Sequence, residues 1–327
     1  MRGRQNPGDE WGGSGESASQ PLSHFQALNT YTKPLTIAQA AKLRDVLEEK
    51  GYEFESKPYT LYAATGPKVN IAVYEKGPKV VAQGKGTVEF VQFTLEPLVL
   101  GQAELGYEEV NNPEMFSPHI GVDESGKGDY FGPLVIAGVY VDGIVARHLK
   151  DEGIMDSKRI SSDARIETLA KVIRATPGLV WNVVAIGPER YNDMYDSFGN
   201  LNRLLAWGHA RVIENLLEKV PGCPRALSDQ FANPTILQRA LKEKGREIEL
   251  VQRTKAESDP AVAAASILAR EAFVRWMREA GEARGGVPLP KGASPAVKVR
   301  ASEIVDTEGK SGLKKVAKLH FRTTFEL

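Results

Sequence analysis

Cysteine is almost missing from this chain: Cys223 stands alone among 327 residues, so no intrachain disulfide can form. A single thiol without a His or Cys cluster beside it serves packing more often than catalysis, and a reducing compartment fits. Net charge is missing as well. The 42 basic and 42 acidic residues cancel, so total charge points to no partner, although local basic patches remain compatible with it. No apolar run is long enough to span a bilayer, and the first residues lack the apolar core of a secretion signal. A soluble cytoplasmic protein with no membrane partner is expected. Walker and Rossmann glycine patterns are also absent, which argues against a nucleotide-binding enzyme. Residues 1–23 are rich in Gly, Ser, Gln and Pro and contain almost no aliphatic side chains. They cannot bury enough surface to offset the entropy of ordering, so a disordered tail is expected there.

What is present is concentrated in one run, Gly121-Val122-Asp123-Glu124-Ser125-Gly126-Lys127-Gly128-Asp129-Tyr130-Phe131-Gly132-Pro133. Two adjacent carboxylates end an apolar strand and open onto a glycine turn. Carboxylates bind hard cations such as Mg²⁺ or Mn²⁺, and glycines let backbone groups approach a sugar-phosphate chain with no Cβ in the way. An acidic turn with no chemistry is the competing reading. A regular strand would send Asp123 and Glu124 to opposite faces, so a shared site requires the strand to end or bend there. A third acid, Asp229, closes the short run Ala226-Leu227-Ser228 before a polar turn, where an Asx turn is the alternative. The fourth candidate is Glu257, with Asp259 competing. Asp259 precedes Pro260, the usual N-cap and first helical pair, which gives it a structural task and leaves Glu257 as the better ligand. The small residues Ala261, Ala263, Ala264, Ala265 and Ser266 would let that helix approach the sheet closely.

Two folded units are expected. Thr36-Ile37-Ala38-Gln39 has the capping-box pattern, and Ile37, Ala40, Leu43 and Leu47 recur at helical spacing until Gly51. Three β-rich runs follow, around Leu61, Ile71 and Val81, which together with the helix make a small helix-plus-antiparallel-sheet module within residues 24–100. Residues 101–118 read as a linker. From His119 to the end, apolar strands at 120–122, 134–141 and 179–186 are joined by helices at 162–174, 201–220, 234–244 and 260–278, the pattern of an α/β domain with a mixed sheet.

The run from Asp123 to Pro133, Asp156-Ser157-Lys158, Asp229-Gln230-Phe231-Ala232, Lys255-Ala256-Glu257, Leu289-Pro290-Lys291-Gly292-Ala293 and Lys318-Leu319-His320-Phe321 together resemble bacterial ribonuclease HIII, a type 2 ribonuclease H. The resemblance covers the second unit in order. In the first unit the helix, the β runs and Ala82-Gln83-Gly84-Lys85 resemble that family's TATA-binding-protein-like substrate-binding module. It implies a ribonuclease H-like catalytic domain over residues 119–327 and a substrate-binding domain over residues 24–100. The implied activity is endonucleolytic cleavage of the RNA strand of an RNA/DNA hybrid, leaving 5′-phosphate and 3′-hydroxyl ends; a monomer is expected. Asp123, Glu124, Asp229 and Glu257 match the acids that hold two divalent ions, Mg²⁺ or Mn²⁺. Ser125, Gly126, Lys127, Gly128 and Lys158 match substrate-binding positions, with the glycine turn reading the 2′-hydroxyl. Lys127 stands where enzymes that excise single ribonucleotides carry Arg, which favours cleavage within RNA stretches. Lys291, Lys314, Lys315 and Arg322 are further candidates for phosphate contact, against the default of solvated surface charge. His209, among apolar helix neighbours, reads as packing. A noncatalytic hybrid binder or a metal phosphatase are the competing classes; neither needs the complete acid set together with an RNA-reading turn.

Overall fold

The computed structural model describes residues 29–102, 112–154, 157, 160–231, 233–241, 247–254 and 256–327. The expected tail over residues 1–23, half of the expected linker, Asp156 and Lys158 lie outside the described residues.

The first sheet comprises β1 (Thr30–Pro34), β2 (Glu53–Glu55), β3 (Thr60–Gly66), β4 (Val69–Tyr74) and β5 (Lys79–Gln83), in the order β1-β5-β4-β3-β2 and antiparallel throughout. Helix α1 (Ile37–Glu49) starts at the expected capping box: Thr36 Oγ1 accepts from the Gln39 amide at 3.1 Å, and Gln39 Oε1 accepts from the Thr36 amide at 2.9 Å. Its Ala40, Leu43 and Leu47 pack into the core, but Ile37, expected on the same stripe, is exposed. Helix α2 (Thr87–Phe90) continues through wide π-type turns over Val91–Leu100 and closes the same core with Phe90, Val91 and Leu95. Tyr62 is buried and donates its hydroxyl to the Ala40 carbonyl at 2.7 Å, which makes it a core residue. Tyr59 is instead exposed, in a left-handed conformation at φ 65°.

The second sheet comprises β6 (His119–Ser125), β7 (Leu134–Val141), β8 (Val180–Ile186), β9 (Arg225–Asp229) and β10 (Glu249–Arg253), ordered β10-β9-β6-β7-β8. Strand β9 runs parallel to both β6 and β10, whereas β7 is antiparallel to β6 and β8, so the sheet is mixed as expected. Helices α3 (Gly143–Asp151), α4 (Asp163–Ala175), α8 (Pro260–Glu282) and α9 (Pro295–Lys314) pack on one face. Helices α5 (Pro188–Phe198), α6 (Leu201–Lys219) and α7 (Pro234–Ala240) cover the other, and a short α10 (Arg322–Phe325) follows α9. Buried apolar rows on both faces of β6 and β7 explain why their sequences run apolar without alternation.

Glycine permits two close approaches. A Cβ on Gly121 would fall 2.3 Å from the Val262 amide nitrogen, and one on Gly138 would fall 2.4 Å from Val212 Cγ1 on the opposite face. The small-residue stretch of α8 is buried against β6 through the first of these, as the sequence suggested. That contact seats the start of α8 against β6, and the turn before it packs against β9.

Candidate active site

Period-two geometry sorts the acids. Ile120 and Val122 face the α6 side of the sheet, whereas Gly121 meets the start of α8. Asp123 therefore points toward α8, and Glu124 points toward α6, where His209 reaches it. The strand neither ends nor bends between them: Asp123 pairs with Ala137 and Glu124 with Ile136 in unbroken register. The expected bend is thus corrected, because the glycine turn begins only after Ser125. Strand β9 repeats the pattern. Ser228 faces α6 and bonds His209, and its pairing with Val122 sets Asp229 alongside Asp123 on the α8 side.

Glu257 sits on a single 3-10 turn, Ala256–Ser258, which packs against β9 and leads directly into α8. Its side chain is half-buried, and among the described residues nothing holds its carboxylate. Asp259 is engaged through one oxygen, while its Oδ2 is buried with no hydrogen-bond partner among the described residues. Its Oδ1 accepts from the amides of Ala261 at 2.9 Å and Val262 at 3.3 Å and lies 2.9 Å from His119 Nε2, at about 1% exposure. Capping α8 and binding His119 account for this carboxylate structurally.

Asp123 and Asp229 thus lie side by side on the α8 side of the parallel pair, Glu124 lies on the other face, and the Glu257 turn packs against β9. Among the described residues no three acidic, His or Cys side chains stand in ligand geometry around one point. Glu124 is already paired: Lys127 Nζ lies 2.5 Å from its Oε1 and His209 Nε2 lies 3.0 Å from its Oε2. Burial raises the Glu124 pKa, but the hydrogen bond and charge of His209 and the charge of Lys127 outweigh it, and the net value is about 2. Burial lowers the Lys127 pKa, whereas Glu124, with Asp123 and Asp229 behind it, raises it overall. A cation is therefore already drawn into the field of three of the four acids. Hard oxygen donors in such a field fit a divalent ion.

His209 and Ser228 are what sequence reading missed. The His209 ring is fully buried between Ser228 Oγ, 3.0 Å from Nδ1, and Glu124. Its apolar helical neighbours hide a polar task that depends on a partner 85 positions away. Replacing His209 with Leu is expected to lower the stability of the metal-free protein by about 1–3 kcal/mol, the cost of a buried carboxylate losing a partner. The folded Glu124 pKa lies below its ordinary 4.5, so its contribution is complete above about pH 4.5 and disappears as pH falls toward 2. Urea titrations at several pH values should show the wild type losing more stability across that window than the variant. Equal losses would mean His209 does not hold the charge.

The glycine turn follows β6 directly. Gly126 has φ 87°, and a Cβ there would meet the Pro133 carbonyl at 2.2 Å, so the turn folds back on itself in a way only glycine permits. Ser125, Gly126, Lys127 and Gly128 line one side of an open cleft whose other side carries Ser157, Arg270 and Lys291. Arg270 donates to the carbonyls of Ser157 and Ile160, and Ser157 Oγ lies 2.7 Å from Ser266 Oγ, which holds Ser157 and Ile160 against α8. Lys291 is paired with Asp163 at 2.7 Å, Lys314 with Asp193 at 3.1 Å, and Arg322 with Glu326 at 2.6 Å. Of these three cations, only Lys291 lines the cleft.

A family model described as ribonuclease HII matches residues 120–324. Curated proteins named ribonuclease HIII from Chlamydia abortus and Chlamydia muridarum are 45% and 46% identical over 287 residues, covering 87% of this chain and 93% and 92% of theirs. The chain belongs to the ribonuclease HIII family. Among solved structures, Bst-RNase HIII in complex with Mn²⁺ superposes with a TM-score of 0.63 at 29% identity, covering 91% of this chain and 97% of that one. Aquifex aeolicus RNase H3 gives 0.52 at 28% identity, with 89% and 100% coverage. As a ribonuclease HIII, the protein is an endoribonuclease directed at RNA/DNA hybrids.

Proposed function

We propose that the protein cuts the RNA strand of RNA/DNA hybrids with Asp123, Glu124, Asp229 and Glu257 as its metal-holding acids, leaving 5′-phosphate and 3′-hydroxyl ends. The observation that carries this reading is the register that sets Asp123 beside Asp229 on parallel strands, with the Glu257 turn packed against β9. The Mn²⁺ complex of the related Bst-RNase HIII supports a divalent ion at such acids. Two Mg²⁺ or Mn²⁺ ions held there would polarise the scissile phosphate and lower the pKa of an attacking water. The protein's own groups divide the remaining work. The Gly126-Lys127-Gly128 backbone meets the 2′-hydroxyl, the one group that separates the two strands locally. Lys127, released from Glu124, and Lys158 neutralise phosphates. Asp229 and Asp123, on one face, orient the reacting end, and His209 keeps Glu124 ionised.

The direct test is incubation with matched labelled RNA/DNA, RNA/RNA and DNA/DNA duplexes in Mg²⁺, Mn²⁺ and EDTA. Cleavage confined to the RNA strand of the hybrid and lost in EDTA is expected; cutting of DNA/DNA or metal-independent cutting would overturn the reading.

The first sheet is proposed to hold the hybrid. A shortened chain beginning near Pro113 is expected to cut the same substrate with raised KM and a shallower loss of affinity with salt, because fewer phosphates are neutralised. Rate at saturating substrate should persist. An unchanged KM and salt slope would remove the first unit from substrate binding, and a folded but inactive shortened chain would mean that it helps assemble the site.

A further inference from the structure

The Lys318-Leu319-His320-Phe321 run takes no part in the chemistry above, yet it contains a fully buried lysine. Lys318 is completely buried, and among the described residues no carboxylate pairs with it. Its Nζ donates to the carbonyls of Gly132 at 2.6 Å, Asp129 at 2.8 Å and Phe131 at 3.4 Å, and its backbone amide donates to the Tyr130 carbonyl at 2.8 Å. One residue thereby collects four consecutive carbonyls of the stretch that follows the glycine turn. The ammonium lies 5.6 Å from the centre of the Tyr191 ring.

The collecting segment is itself fixed. Asn192 donates to the Ala317 carbonyl at 2.9 Å and accepts from the Leu319 amide at 2.8 Å, so both sides of Lys318 are tied to α5. The collected stretch has little freedom of its own: Gly132 has φ 87°, and its amide bonds the Val316 carbonyl at 2.8 Å. At its other end the Asp129 amide bonds the Gly126 carbonyl at 3.3 Å, which couples residues 129–132 to the turn that faces the cleft. Burial lowers the Lys318 pKa to about 7 against the opposing charge of Asp129, a measure of how unfavourable this position is for an ammonium. An apolar side chain would avoid that desolvation cost but take the donor from the carbonyls of Asp129, Phe131 and Gly132, so the lysine's burial is tied to the path of residues 129–132.

We propose that Lys318 is a positioning residue for RNA recognition: by gathering the carbonyls of residues 129–132 it sets the path of the Gly126–Gly128 backbone that meets the 2′-hydroxyl. This rests on the reading of that turn as the RNA-contacting element. Lys318 touches none of the four acids, so its effect falls on selection of the substrate and spares the chemical step.

The test compares the full-length wild type with Lys318→Met at a temperature where both are folded by circular dichroism, with labelled RNA/DNA as substrate and unlabelled DNA/DNA as competitor. KM for the hybrid is expected to rise about tenfold, with kcat within about twofold and the preference for hybrid over DNA/DNA falling by a similar factor. A folded variant with wild-type KM and preference overturns the proposal. A wild type that shows no preference between the two duplexes removes the reading of the glycine turn, and the proposal with it. If Lys318→Met does not fold, nitrogen-15 lysine NMR of the wild type near pH 6 decides. A Lys318 ammonium signal protected from exchange that shifts with RNA/DNA but not with DNA/DNA carries the proposal, and a signal indifferent to both overturns it.

Discussion

Asp123→Asn is expected to reduce hybrid cleavage by on the order of a thousandfold or more, about 4 kcal/mol of lost transition-state stabilisation, while the protein stays folded. The charge disappears at nearly constant volume. Asp123 is 5% exposed, and its Oδ1 accepts the Glu124 amide at 2.8 Å, an interaction that the amide oxygen of Asn reproduces. The strand therefore has no reason to rearrange. What cannot be reproduced is the anionic donor next to Asp229, without which a divalent ion loses one of the two carboxylates that share the α8 side of the sheet. Single-turnover cleavage and thermal unfolding on the same preparation check this. Turnover near the wild-type rate by a folded variant would remove Asp123 from the site.

Local signals carried much of this fold, and they failed where a strand or a side chain depends on distant partners. The capping box at Thr36 and the Asp259-Pro260 start of α8 were readable because a cap is decided within three or four residues. Strand β7 was readable from its apolar run, since both faces are covered by helices. Strands β1 and β2 gave no such signal. Each lies at an edge of the first sheet, where polar residues such as Lys33, Glu53 and Glu55 are tolerated and even Pro34 fits. Helix α9 was missed because Gly309, at φ 70°, interrupts its pattern with a residue in non-helical geometry.

In the site, the four acids stood out by residue type, but their arrangement did not. Adjacent acids on a strand suggested a bend, whereas the strand keeps its register and divides Asp123 from Glu124 across its two faces. Only the three-dimensional neighbours of Glu124, from α6 and the glycine turn, account for where that carboxylate goes. Lys318 was legible as a family-like residue and illegible as a clamp, because its four partners lie 186 to 189 positions away.

The fourth acid is decided by comparing two neutralisations two residues apart. Glu257→Gln is expected to lose cleavage on the scale of Asp123→Asn with little change in stability, because among the described residues its carboxylate holds nothing in place. Asp259→Asn is expected to behave in the opposite way. Asn remains a good cap and keeps an acceptor for the Ala261 and Val262 amides, but it removes the charge that faces the helix start and His119. That should cost about 1–2 kcal/mol of stability and leave most of the activity. Both proteins are measured for kcat in Mg²⁺ and for urea unfolding. A variant at position 259 that is stable and inactive, beside an active one at position 257, would transfer the ligand to Asp259 and leave the cap to the backbone alone. The opposite pattern assigns Glu257 to the metal and Asp259 to the helix, the division that the hydrogen bonds of Asp259 already favour.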